Sequence, residues 1–548
     1  MLSGSRQEKP SITQLKDEYF AQPTNLYDAA SQSRHESRHK AINRSGANAD
    51  THTSESDYYY IAERARDLDR NNVVVGQAID RLCANILQQG FEPEPDTGRK
   101  SLNELLKSKW AAYASDKEAC DVQGEFDFNF LAYMALRESI VAGDTVVLPL
   151  KTGQLQMVES HRIRSPHTRG REAAGENVVH GVEMDSNRRR VRYWITKDDI
   201  PLNRLALMTE VSPFAVYDSD GNKQLFHVWH PTRSTMTRGI TKLASSMTYI
   251  KMLDDVHFAK LVQQQNVSAY SLFRQRNEGF DLPDLVATDT TSELDPCDGS
   301  FRPIQKVSAG MMYTGFPGEE LKVLSGNVPN PTFFDHSQQI EMLIGLNLDL
   351  PLILFRMDAS ETNFSGWRGA MEQAKLRFRH FQRWFGLCAF HRPIYLWKLR
   401  QWTNPASPLY DPQLAALREA VTDDRFFSHE WIFPGWPFID PQAETLSEIN
   451  QLGNSLVSPR RIQRSRGRNW TRTYEEIIED KAAAIELAIK TSMRLNNRYP
   501  EDVNPHPLKW SDLIAFPRPA GENITDSRDL VENSEEETES SNGTSPVQ

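Results

Sequence analysis

Between Gly366 and Arg400, eight basic residues (Arg368, Lys375, Arg377, Arg379, Arg383, Arg392, Lys398 and Arg400) stand against one acid, Glu372. Trp367, Phe378, Phe381, Trp384 and Phe385 interleave with them. Cations that neutralise phosphates, beside rings that stack on bases, are the chemistry of nucleic-acid binding. Aromatic spacing of three and four residues is also that of a helix packed on a core. Core packing is the preferred reading, with the arginines paired to acids of a neighbouring copy. Lys375, Arg379 and Arg383 remain candidates for contacts to DNA or to that copy. A second run, Arg460, Arg461, Arg464, Arg466, Arg468 and Arg472, holds no acid. A solvated face is its default, and Arg460, Arg461 and Arg464 are the candidates there for DNA or inter-subunit contacts.

Catalytic chemistry finds no support. The sequence has no Gly-x-x-x-x-Gly-Lys-Ser/Thr and no Gly-Lys pair, so it lacks the loop that cradles nucleotide phosphates. Ser139 and Ser365 each lie near a glycine, yet neither sits in Gly-x-Ser-x-Gly. His227 and His230 are three apart on a strand-to-loop segment, which sends their rings to opposite faces, and His161 and His167 lie in a polar loop without a third ligand. Asp254-Asp255 and Glu319-Glu320 read as solvated surface. Cys83, Cys120, Cys297 and Cys388 are scattered and read as buried reduced thiols. No catalytic residue, metal or cofactor is expected.

The elements that must position these residues belong to a multidomain protein, since 548 residues exceed one ordinary domain. No apolar run reaches the roughly 20 residues of a membrane helix; residues 343–355 come closest and are broken by Asn347, Asp349 and Pro351. The first ten residues lack the apolar stretch of a signal peptide, so neither secretion nor membrane insertion is expected. Net charge is -11, and residues 521–548 carry eight acids and one base, leaving only -4 for the rest. Such a body is unsuited to gripping DNA tightly, and the acidic tail is read as disordered.

Residues 1–56 are polar and read as an arm, with order starting near Tyr58. Apolar periodicity predicts helices over 59–88, 101–116 and 128–142, then a strand at 145–148. Strands at 178–184 and 191–196 are separated by a turn at Asp185-Ser186-Asn187. One long helix is predicted over 241–265, an irregular region over 267–330, a helix over 331–346, a polar loop, a very long helix over 366–400, and another over 474–495.

The polar loop is the most telling segment. From Asp358 it reads Asp-Ala-Ser-Glu-Thr-Asn-Phe-Ser-Gly-Trp-Arg-Gly-Ala, preceded by Gly345-Leu346 and Pro351. It resembles the tunnel-loop region of lambda-like phage portal proteins, approximately Asp-x-Ser-x-x-Asn-Tyr-Ser-Ser-x-Arg. Asp358, Ser360, Asn363, Ser365 and Arg368 match; Phe364 replaces the family's Tyr and Gly366 its second Ser. Further blocks follow the family's order: 64–72 with 88–93; Val141-Ala142-Gly143-Asp144 with 155–160; 181–185 ending in Tyr193; 227–233 with Thr237-Arg238-Gly239-Ile240; and 435–441 with Glu444 and Ser458-Pro459-Arg460-Arg461. They span 59–479, and their shared order is what makes the resemblance specific.

The resemblance implies a multidomain α+β portal fold. Residues 1–56 form a disordered arm, 57–240 an α/β wing, 241–266 a stem helix, 267–330 a strand-bearing clip and 331–350 the returning stem helix. Residues 351–366 form the tunnel loop, 367–400 a long helix towards the crown, 401–500 a helical crown and 501–548 an acidic disordered tail. The implied function is a ring, typically of twelve copies, at one capsid vertex, through which double-stranded DNA is packaged and ejected. Partners implied are other copies, the DNA, the terminase large subunit, major capsid and scaffold proteins and head-tail adaptor proteins, with no membrane. The protein would reside in the virion and, during assembly, in the cytoplasm of a bacterial host, encoded by a phage or prophage. Arg356, Asp358, Ser360, Asn363, Phe364, Ser365, Trp367 and Arg368 would line the channel at the tunnel loop. A terminase would need the missing phosphate loop; a non-portal structural or DNA-binding protein of phage head morphogenesis would leave the ordered blocks unexplained.

Overall fold

The computed structural model describes residues 48–166, 177–196, 211–219, 221–269, 331–358, 360, 363–437, 440–499 and 507–514, and the strands Leu272–Arg276, Ser292–Leu294, Phe301–Pro303 and Glu319–Val323. Residues 1–47 of the expected arm (1–56), most of the expected clip and most of the acidic tail lie outside the described residues. The chain divides into two compact units at 434/435.

In the first unit, described structure includes residues 48–56, expected to belong to the arm. A helical turn at Ala49–His52 places the Asp50 carboxylate to accept from the Thr237 backbone N–H and hydroxyl, both at 2.8 Å. Helix α1 (Glu55–Asn71) starts at a capping box: the Ser54 hydroxyl accepts from Asp57 N at 3.1 Å and the Asp57 carboxylate from Ser54 N at 3.4 Å. Asn72 breaks the predicted 59–88 helix in two by capping α2 (Val73–Leu87), accepting from Val75 N at 2.9 Å. After β1 (Glu92–Pro95) come α3 (Lys100–Ser115) and α4 (Phe128–Val141), close to the predicted bounds.

Strand β2 (Asp144–Pro149) is buried along its whole length, as expected of a central strand with both faces covered. It pairs antiparallel with β3 (Leu155–Glu159) and β8 (Phe226–Trp229), and α4 packs against it. A second antiparallel sheet runs β4 (Val178–Val179), β5 (Val182–Met184), β6 (Arg190–Thr196) and β7 (Val211–Ala215). The predicted strand over 178–184 is thus a hairpin, because His180 and Gly181 both take positive φ, the requirement of a two-residue turn. Val146, Leu148 and Val158 of the first sheet and Val182, Tyr193 and Ile195 of the second share one core. The α+β class is as expected.

Helix α5 (Met247–Ala269) starts six residues later than predicted. Thr241 turns the chain first, its hydroxyl accepting from Leu243 N at 3.1 Å, and Asn347 holds the turn through Lys242 O at 2.7 Å and the Ser246 hydroxyl at 3.0 Å. The chain continues through β9 (Leu272–Arg276), β10 (Ser292–Leu294), β11 (Phe301–Pro303) and β12 (Glu319–Val323) to α6 (Pro331–Asn347). The short helix α7 (Leu352–Arg356) occupies the start of the expected loop.

The predicted helix over 366–400 is also two helices. Helix α8 (Phe364–Arg383) runs into a π-helical turn, Trp384–Ala389, and the chain breaks at Phe390 before α9 (His391–Thr403). Pro393 explains the break. It has no N–H and would clash with a continuing turn, so it is tolerated only within the first turn of a new helix. Residues 401–434 belong to the first unit. They include α10 (Pro412–Glu419) and β13 (His429–Ile432), which pairs with β1.

The second unit is helical: α11 (Pro441–Gly453), α12 (Pro459–Ser465) and α13 (Trp470–Arg498). Asp440, Ser458 and Asn469 cap these helices, and Pro follows two of the caps at the first helical position. Arg466 and Glu448 form an ion pair, and Gly435 fits against the Ser465 carbonyl where a side chain would not.

Candidate functional site

The loop between α7 and α8 is built from its two ends. At the first, Arg356 forms an ion pair with the mostly buried Glu341 of α6, and Arg81 of α2 donates to Phe355 O at 2.6 Å and Leu354 O at 3.2 Å. A cation on terminal helix carbonyls completes their hydrogen bonding. Met357 then turns left-handed, with φ of 58°. At the second end, Asn363 accepts from Gly366 N at 2.7 Å and from the Ser365 hydroxyl at 3.3 Å, starting α8. Between them the Asp358 carboxylate accepts from Ser360 N at 2.9 Å. The Ser360 side chain and then this backbone N–H, with Arg356 nearby, hold the Asp358 carboxyl below its ordinary range. Phe364 is exposed with its ring 6.1 Å from Trp367, and Arg368 is half-buried one turn on.

The base of this loop is locked to the turn before α5 and to α8. Asp349 Oδ2 accepts from Lys242 Nζ at 2.6 Å and from Arg377 Nε at 3.0 Å. Burial, chiefly, pushes the Lys242 pKa down, with Asp349 opposing. The segment entering the loop is therefore anchored.

The aromatic stretch following the loop packs as a core. Phe378, Phe381 and Phe385 are buried, and Lys375 is buried too, with its Nζ 2.8 Å from Glu372. Lys375 is thereby withdrawn from the surface candidates, whereas Arg379 and Arg383 are exposed. In the second unit Arg460 lies over Trp470 at 5.7 Å, and Arg461 and Arg464 are exposed.

Sequence reasoning missed a buried ionic centre in the α/β part of the first unit. Asp144 and Arg238 are both almost wholly buried, joined through Nε to Oδ2 at 2.5 Å and Nη2 to Oδ1 at 2.8 Å. Arg238 also donates to the carbonyls of Ile163 and His180, both at 3.1 Å, and of Ser160 at 2.8 Å, and lies over the Tyr58 ring at 4.5 Å. Asp144 further accepts from Tyr58 OH at 2.9 Å, Ser160 Oγ at 2.8 Å and Gly239 N at 3.3 Å. His227 Nε2 lies 3.0 Å from its other oxygen. Burial alone would raise the Asp144 pKa, but Arg238 and then His227 hold it far below the ordinary range. Burial pushes His227 down to about 4, so near neutral pH it donates as a neutral ring. Gly143, at φ of 102°, packs backbone to backbone on Gly239: a Cβ on either would lie within 2.4 Å of the other's carbonyl oxygen. The signal was present in the sequence as an aspartate opening an apolar strand, since a charge entering a core requires a buried partner.

His227 and His230 point to different surroundings, as expected. The first joins Asp144; the second packs against Phe381 and Trp384. No cluster of three or more metal-ligating side chains occurs among the described residues. No helix among them is long and apolar enough to cross a membrane.

The model of the family described as "Phage portal protein, lambda family" matches residues 35–382, a span that takes in the ionic centre and the whole loop. The chain belongs to the lambda family of phage portal proteins. Its function is therefore that of a portal protein, in a family that is structural rather than enzymatic. Similar solved structures include a chain of the virion of a native gene transfer agent particle, at 12% identity over 74% of this chain and 93% of that one, TM-score 0.37. Another comes from the neck of the native particle computed with C12 symmetry, at 12% identity over 68% and 95%, TM-score 0.38. The assignment rests on the family match. Within it, the portal's Gly143-Asp144 and Thr237-Arg238-Gly239 blocks, 94 residues apart between Asp144 and Arg238, form a single latch.

Proposed function

We propose that copies of this chain close into a ring, twelvefold as the family resemblance implies, at one capsid vertex of a phage particle. Double-stranded DNA crosses its channel during packaging and ejection. Residues 57–240 serve as the wing, α5 and α6 as the stem, 267–330 as the clip and α11 to α13 as part of the crown. The loop from Arg356 to Arg368 meets DNA in the channel, and the clip receives the terminase large subunit and later the head-tail adaptors. Capsid and scaffold proteins surround the wing during assembly in the host cytoplasm.

The observation that carries the ring is the apolar surface of α5 and α6. Phe258 is 69% and Leu346 72% exposed, with Met252, Val256, Leu261, Phe334, Met342 and Leu343 also uncovered. Burying each large apolar side chain stabilises an interface by about 1.5–3 kcal/mol, and cyclic closure supplies two different faces to do so. Light scattering coupled to size exclusion, with negative-stain microscopy, tests this directly. Rings with a mass near twelve times 62.6 kDa support the reading, and a monomer at every salt and protein concentration overturns it. Deleting residues 358–364 should spare the ring and impair DNA packaging; undiminished packaging removes the loop from the channel mechanism.

A further inference from the structure

A cavity of about 370 Å³ opens between the Asp185–Arg190 turn, the end of β7 and the segment leading into β8. Its walls carry Arg188, Arg189, Arg190 and Lys223 with the rings of Tyr217 and Trp229, and no acidic residue lines it among the described residues. The arginines of this sheet are otherwise neutralised: Arg188 pairs with Asp50 at 2.7 Å and Arg192 with Glu183 at 2.7 Å. Arg189, Arg190 and Lys223 have no carboxylate partner among the described residues. Asp185 accepts from the backbone N–H of Asn187 and Arg189, and Asp218 from the side chains of Asn222 and Gln224, so these two acids are engaged in shaping turns.

The cations are also held in place. Arg189 lies over Tyr217 at 4.9 Å and Arg190 over Trp229 at 4.5 Å. A guanidinium laid on a ring keeps its N–H edge available for hydrogen bonding. The buried Nε of Arg190 has no acceptor, although its Nη2 reaches Thr237 O at 2.9 Å. Lys223 lies over Phe226 at 5.4 Å, and its pKa is pushed down by burial and then by Arg190. Three uncompensated cations facing one concavity repel each other, and an anion that entered would relieve that repulsion and satisfy the open donor.

We propose that this cavity is an anion site for a phosphate group, held by Arg189, Arg190 and Lys223. Free phosphate esters and the phosphodiester backbone of DNA share the chemistry it recognises. The proposal does not depend on the channel reading, because the site lies in the strand-rich part and uses no residue of the loop.

Titration calorimetry on the full-length protein tests it, with inorganic phosphate and a short DNA duplex as separate probes and sodium chloride of equal ionic strength as control. Saturable phosphate binding is expected, weakened about tenfold by either Arg189→Ala or Lys223→Ala, since a hydrogen bond to a charged group contributes about that factor. Arg189→Lys should retain part of the affinity. Duplex binding competed by phosphate assigns the site to a DNA backbone; phosphate binding without duplex binding assigns it to a small phosphate ester. Heats no larger than those of chloride, or an affinity in both alanine variants unchanged from that of the unsubstituted protein, overturn the proposal. Arg189 and Tyr217 are exposed, so Arg189→Ala tests the site without disturbing the core.

Discussion

Two regions of this portal protein deal with desolvation in opposite ways. Around Asp144, a charge pair removed from water is satisfied wholly within one chain, by all three guanidinium nitrogens of Arg238 and by Tyr58, Ser160 and His227. Along α5 and α6, and in the second unit, apolar side chains stay in water. Of the described residues from 435 onwards only Ile462, Ala488 and Ser492 are buried, while Leu456, Ile478, Leu487 and Met493 are more than 60% exposed. A buried ion pair is costly unless every partner is in place, so the first region has to be complete before assembly. The second has apolar surface left over, which the proposed ring would cover.

The sharpest way to break this comparison is Asp144→Ala, which strands the Arg238 charge in the core. Loss of one partner of a buried pair costs about 3–5 kcal/mol, readable as a fall in unfolding free energy by urea denaturation. A loss under about 1 kcal/mol would mean that water reaches Arg238 and that the centre is not self-contained. The complementary change is Phe258→Asp with Leu261→Asp on α5. It should leave unfolding of the single chain within about 0.5 kcal/mol, as surface substitutions do. It should also abolish rings on a sizing column, by removing about 1.5–3 kcal/mol per side chain at each interface.

How much of this was legible beforehand differs between the regions for a physical reason. The periodicity of α3, α4 and α6 and the strand at β2 could be read from short-range pattern, and the polar loop from its own residues. The latch could not, because Asp144 and Arg238 are distant in sequence and a backbone pattern carries no record of which cation answers which buried acid. The split of the 366–400 helix was signalled by Pro393, but the basic and aromatic periodicity runs through the break and masked it. Candidate residues Lys375 and Arg379 looked alike in sequence, and only packing separates the buried one from the exposed one.

Histidines sharpen the comparison within the first unit itself. His227 has polar partners at the ionic centre, whereas His391 is fully buried among Phe91, Phe128, Phe385, Phe390 and Trp431, with neither ring nitrogen hydrogen-bonded. Burial pushes His391 down to about 3 and His227 down to about 4. Both folded values lie below the unfolded one, about 6.5. As pH falls through that value, the unfolded chain takes up protons that the folded chain refuses, and stability declines until the folded values are reached. His391→Phe removes one such proton, so the slope of unfolding free energy against pH between about 6 and 4 should flatten by about 1.4 kcal/mol per pH unit. An unchanged slope would show that the ring is reached by water and is not part of a dry core.

The smallest expected effect lies at the loop, where the two regimes meet: its first end is anchored to α2 and α6, and Asp358 and Ser360 beyond it are exposed. Asn363→Ala removes the acceptor for Gly366 N and costs about 1 kcal/mol of helix-end stability. Because α8 is held further along by Phe378 and Phe381, that cost should remain within the first turn. Amide exchange at Gly366 and Trp367 should quicken about fivefold, with global unfolding and ring mass unchanged. If exchange quickens along α8 as far as Phe381 instead, the cap would be setting the register of the buried stretch, and loop and core would be one cooperative element.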